Sequence, residues 1–174
     1  MLVNGKWTED WQPVQKADEK GRFVRQTSSF RHWITPDGAP GPTGEGGFAD
    51  RALASADIAQ AIRQMLCAAV DTYTQEGRPR GCLVVSAANS VAAENAPVLA
   101  WLAEHRRQRT ESIIQRLQAA SDAGQLVEGS NVRALGNCYA TLLHGISIQA
   151  RDGVSKAELL EAVDVALGLL PLPD

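Results

Sequence analysis

The chain has 174 residues, 44% of them hydrophobic and 21% charged, and a net charge of −3. That is the composition of an ordinary globular chain, and it excludes a broadly basic surface for nucleic acid or anionic lipid. No apolar run approaches the roughly 20 residues that a membrane span needs, so no membrane partner is expected.

Met1 to Gly5 leads into Lys6-Trp7 without the apolar core of a signal peptide, which makes a cytoplasmic location the expectation. Residues 1–48 then read as an irregular arm rich in Gly and Pro. They hold all three Phe and three of the four Trp, and six Lys or Arg balance six Asp or Glu. Within the arm, Gly21–Gln26 suits a short extended piece and Thr35–Gly38 a turn, with Pro setting φ. The run Ala39–Gly47 is loop or linker.

Residues 49–54 form a junction, after which the pattern turns helical. Ile58, Ile62, Met65, Leu66, Ala69, Val70 and Tyr73 share one helix face, with Ser55 or Asp57 to cap its start and Gly77 to end it. Cys82–Ala88 is a short apolar helix or a buried strand, and period alone does not decide between them. Asn95-Ala96-Pro97 opens a long helix bearing Val98, Trp101 or Leu102, His105, Ile113, Ile114, Leu117 and Ala120, ended by Gly124. Its basic stretch Glu104–Glu111 suits a solvated face with local pairs such as Arg107 with Glu111.

A further helix covers Asn131–Arg151, where Gly136 and Gly145 mark close helix approaches. Ser155-Lys156-Ala157-Glu158 is a capping-box pattern that opens the last helix, which runs toward Pro171. That helix is apolar on more than one face. One face can dock on its own domain, and the remainder argues for a partner subunit, most simply a homodimer through the last two helices. Candidate interface residues are Leu142, Ile146, Leu159, Leu160, Val163 and Leu167.

Cys67, Cys82 and Cys138 form no CxxC pair and no metal spacing with His32, His105 or His144, so buried reduced thiols and no metal are expected. No dinucleotide, phosphate-loop, zinc-protease or serine-hydrolase motif is present, so neither a cofactor nor an enzyme activity is expected.

Tyr73–Arg107 and Leu142–Leu167, with "PRGCLVVSAA" and "GISIQARDGVS" in that order, resemble the C-terminal domain of TetR-family transcriptional regulators. The resemblance covers about residues 55–171. It implies an all-α helical bundle that binds a small apolar effector between its helices and dimerises through the last two. A candidate pocket among the helices starting near Ile58, Pro97 and Asn131 is lined by Met65, Tyr73, Trp101, His105, Cys138, Tyr139 and His144. Residues 1–48 carry none of the helix-turn-helix pattern that precedes this domain in the family. DNA binding is therefore expected only if such a domain is supplied by another chain or by missing sequence.

The segments "NGKWTEDW", "GRFVRQTSSFRHWIT" and "GPTGEGGF" instead resemble the N-terminal extension of glutathionyl-hydroquinone reductases, a glutathione transferase branch. In that family a Cys-Pro-Trp motif follows and supplies the reactive thiolate. Here Cys67 precedes Ala-Ala, Cys82 Leu-Val and Cys138 Tyr-Ala, so a fragment of that family is the alternative reading and is expected to be inactive. The chain reads as a junction of two unrelated pieces.

Overall fold

A computed structural model describes residues 2–3, 6–7, 47–86 and 96–173. The chain divides into two units, Met1–Gly47 and Phe48–Asp174. In the first, β1 (Leu2–Val3) and β2 (Lys6–Trp7) pair antiparallel, Leu2 opposite Trp7 and Val3 opposite Lys6. The extended piece, turn and linker expected across 21–46 lie outside the described residues.

The second unit is all-helical: α1 (Gly47–Leu53), α2 (Ile58–Tyr73), the single turn α3 (Leu83–Ser86), α4 (Ala96–Asp122), α5 (Val132–Arg151) and α6 (Lys156–Leu167). Helix α1 stands where the sequence reading places the arm's end and a junction. Its Phe48, Ala49, Ala52 and Leu53 are buried, and Phe48 meets Tyr73 edge-on with ring centroids 5.9 Å apart. Phe48 thus belongs to the helical core.

Helix α2 is the centre of the packing, lying against both α5 and α6, while α5 runs along α4. The whole expected stripe from Ile58 to Tyr73 is buried. Asp57 caps it, its carboxylate accepting from the Gln60 N–H at 2.6 Å. The Ile58 N–H, an orphan donor at the helix start, is taken by Gln125 Oε1 at 2.9 Å, and Gln125 Nε2 donates to Ala56 O at 3.0 Å. Arg116 Nη2 donates to the Ser55 and Ala56 carbonyls at 3.0 and 2.9 Å. Residues on α4 and the loop after it therefore hold the α1–α2 link in place.

Gly77 does not end α2. The helix stops at Tyr73 with Thr74 as its cap, and Gly77 takes positive φ in the turn beyond. Asn131 caps α5 through Ala134 N–H, and the Ser155–Glu158 capping box opens α6. Arg107 pairs with Glu104 rather than Glu111; the two acids lie three and four residues from it on opposite sides, and Glu104 also accepts from Gln108. Gly136 is a close helix crossing, since a Cβ there would overlap Ile114 Cγ1, whereas a Cβ on Gly145 would meet nothing within 4 Å.

Candidate functional site

The seven expected lining residues differ in burial. Met65, Tyr73 and Tyr139 are buried core. The Tyr139 hydroxyl is already used, donating to Ala166 O at 3.1 Å, and burial pushes its pKa up to about 12. Trp101 and His105 are half-buried and stack on each other with ring centroids 3.7 Å apart, His105 Nδ1 lying 2.9 Å from Trp101 O. Cys138 and His144 are half-buried on α5. All three cysteines are free and half-buried rather than buried, with burial raising the Cys67 thiol.

The interface candidates also divide. Leu159 and Val163 of α6 and Ile146 of α5 are buried within the chain itself, so they pack the protomer's own core and are not available to a partner. Their spacing on α6 continues to Ala166, one stripe turned inward toward α2 and α5, and Leu170 just past the helix is buried as well. Leu142, Leu160 and Leu167 are half-buried at its margins. On the other side of α6 Val165 is exposed by 78%, and in the turn and tail that follow the helix Leu169 and Leu172 are exposed by 50% and 45%. The Val127 N–H donates to Pro171 O at 2.8 Å, which brings Val127, itself 47% exposed, to the same end. Sequence periodicity found the apolar surplus of this segment but did not separate its exposed residues from its buried ones.

The expected "CLVVS" segment is helical but not buried. Leu83, Val84 and Val85 of α3 are all half-exposed. It is anchored at its start. Gly81, with φ of +80°, donates to Tyr73 O at 3.1 Å, and the next N–H, on Cys82, donates to the buried Ser147 Oγ at 2.7 Å. A Cβ on Gly81 would come within 2.6 Å of Ser147 O. Arg106 of α4 reaches across to α3, its Nη1 donating to Val84 O at 2.7 Å. His144 lies near enough to Arg106 that burial first, and then that positive charge, hold the imidazole below the usual histidine range. Arg106, Ser86 and Ser147 are members of this junction that sequence reasoning missed, since none carries a motif.

An open groove of about 740 Å³ also runs between α4 and α5, lined by Glu104, Arg106, Arg107, Glu111, Arg133 and Asn137 among others. Most of its lining side chains are charged or polar, and it includes none of the seven expected residues. Among the described residues no group of three or more His, Cys, Asp or Glu is arranged to hold a metal, and no helix is long and apolar enough to cross a membrane.

The family model for the tetracyclin repressor-like C-terminal domain matches residues 59–157. Among solved structures, the chain is similar to the TetR family transcriptional regulator CifR, a cysteine mutant complexed with 26-bp double-strand operator DNA. The TM-score is 0.69 at 30% identity, covering 72% of this chain and 66% of that one. A putative TetR transcriptional regulator from Rhodococcus sp. RHA1 shares the fold, with a TM-score of 0.63 at 24% identity over 74% of this chain and 68% of that one. The HTH-type transcriptional repressor ComR of Escherichia coli (strain K12) is 20% identical over 114 residues, 66% of this chain and 54% of ComR. Glutathionyl-hydroquinone reductase YqjG of the same organism is 49% identical over 48 residues, 28% of this chain. The chain spans 14% of the length of YqjG and about half that of ComR.

Proposed function

This chain belongs to the family of tetracyclin repressor-like C-terminal domains, and on that premise we propose that its helical unit, about residues 55–171, binds a small effector and forms a homodimer. Val165 of α6 and the two leucines of the tail after it carry the dimer reading. Three of the four large hydrophobics exposed among the described residues are Val165, Leu169 and Leu172, and the fourth, Val127, is tied to Pro171. A contiguous exposed apolar surface of this kind marks an association site, and two copies of an antiparallel helix pair across a two-fold axis give a four-helix interface. The interface residues are therefore Val165, Leu169 and Leu172 with Leu142, Leu160 and Leu167 at the margin, in place of Ile146, Leu159 and Val163.

CifR is described in complex with operator DNA. For this chain, operator binding waits on a DNA-reading domain, because residues 1–48 have no helix-turn-helix pattern. The reductase match reaches only 14% of that enzyme, and none of the three cysteines here is followed by proline, so no catalytic residue is assigned.

Light scattering coupled to size-exclusion chromatography tests the reading. A dimer at micromolar concentration that Val165→Asp converts to a folded monomer is the expected result. A wild-type monomer would overturn it.

A further inference from the structure

Three observations meet where α3 touches α4 and α5. Arg106 is half-buried, and among the described residues its guanidinium has no carboxylate partner; its one bond outward is from Nη1 to Val84 O at 2.7 Å. The Ser86 hydroxyl oxygen, at the end of the same turn of helix, is buried and has no hydrogen-bond partner. The apolar side chains of α3, Leu83, Val84 and Val85, are half-exposed although they are as apolar as any in the core. Each is a local anomaly. Charges withdrawn from water are ordinarily paired, buried hydroxyls are ordinarily bonded, and an apolar run of this kind is ordinarily covered.

One ligand answers all three. We propose that the α3–α4–α5 junction holds a small amphipathic monocarboxylate, its carboxylate on the Arg106 guanidinium and the Ser86 hydroxyl and its apolar tail on Leu83 and Val85. The planar guanidinium fork matches a carboxylate geometrically, and the bond to Val84 O leaves most of that fork open. The charge count selects a monoanion. His144 faces Arg106 but stays neutral near pH 7, because burial and the Arg106 charge both disfavour its proton. Among the described residues Arg106 is the cation bonded to α3, and a single guanidinium suits a carboxylate better than a phosphate dianion. The acid nearest in sequence to Arg106, Glu104, is engaged by Arg107 and Gln108. This assignment rests on the effector-binding reading and names its ligand class.

Titration calorimetry of the full chain with octanoate, 1-octanol and inorganic phosphate tests it. Octanoate is expected to bind at least about tenfold more tightly than octanol, the value of a charge-assisted pair over a neutral contact. Arg106→Gln removes that preference while leaving octanol binding unchanged. Arg106→Lys keeps part of it, and Ser86→Ala weakens octanoate several-fold, with thermal melting confirming that each variant is folded. Equal binding of octanoate and octanol, unmoved by Arg106→Gln, overturns the carboxylate while the effector reading stands. Phosphate binding as tight as octanoate overturns the amphipathic ligand. Failure of both octanoate and octanol to bind overturns the proposal and the effector reading together.

Discussion

The Tyr139 hydroxyl of α5 donates to the Ala166 carbonyl of α6 at 3.1 Å, with the tyrosine wholly withdrawn from solvent. This single bond ties the last two helices together from the inside. Ala166 O also accepts from the Leu169 N–H at 3.1 Å, so the tyrosine supplies its second bond. Tyr139→Phe keeps the packing and deletes the tyrosine's bond while the carbonyl keeps its backbone partner. Thermal or urea unfolding should show a loss of about 0.5–1.5 kcal/mol, with ligand binding unaltered. A change in ligand affinity without loss of stability would return Tyr139 to the pocket.

Val163 and Val165 sit two residues apart on α6 and differ from 1% to 78% exposed. Aspartate should act oppositely at the two. At 163 it buries an unpaired charge and unfolds the domain, seen as loss of the cooperative melting transition. At 165 it leaves the protomer folded and removes only the partner, seen as a halved mass by light scattering.

Gly136 and Gly145 lie in the same helix and should also diverge. Gly136→Ala drives a methyl into Ile114, where α4 and α5 cross, and overpacking of this kind costs about 1–3 kcal/mol. Gly145→Ala meets open space and should gain about 0.5–1 kcal/mol from helix propensity. Urea midpoints for the two variants, measured on either side of wild type, would establish this.

His144 makes stability depend on pH. Its folded pKa lies below the 6.5 of a free histidine, so the unfolded chain takes up the proton first as pH falls. The contribution of a neutral His144 is present in full above pH 6.5 and is lost progressively as pH drops from there toward the folded pKa. His144→Gln should flatten the fall in melting temperature over that interval. An unchanged slope would mean that other groups set it.

Much of the fold was legible because it rests on local signals. The α2 stripe, a cap at Ser55 or Asp57, the capping box at Ser155 and the end of α4 before Gly124 follow from side-chain spacing and orphan backbone groups, whereas Asn131 proves to be the cap of α5 and not its first residue. Helix α1 was not legible, because the two glycines before Phe48 read as linker and its anchors are distant in sequence: the edge-on contact of Phe48 with Tyr73, and the ion pair of Asp50 with Arg109. The inner face of α6 could not be told from the outer, since both are aliphatic and only α2 decides. The candidate pocket residues were ambiguous for a related reason. Met65, Tyr73 and Tyr139 have the chemistry of a lining and of a core alike, and packing assigns them to the core. Arg106 went unnoticed because its significance lies in a missing partner, which no spacing rule reports.

The anchor at Gly81 and Cys82 has a mechanical consequence. Its two successive N–H groups grip the last carbonyl of α2 and the middle of α5, and the Gly81 Cα is packed so tightly on Ser147 O that no side chain fits between them. Sliding α5 by one residue, about 1.5 Å along its axis, would break the Cys82 bond and drive backbone into backbone. The turn therefore acts as a register stop: α5 can tilt about this point but cannot shift lengthwise past it. Any rearrangement at α3 must consequently reach the rest of α5 as a rotation about Ser147.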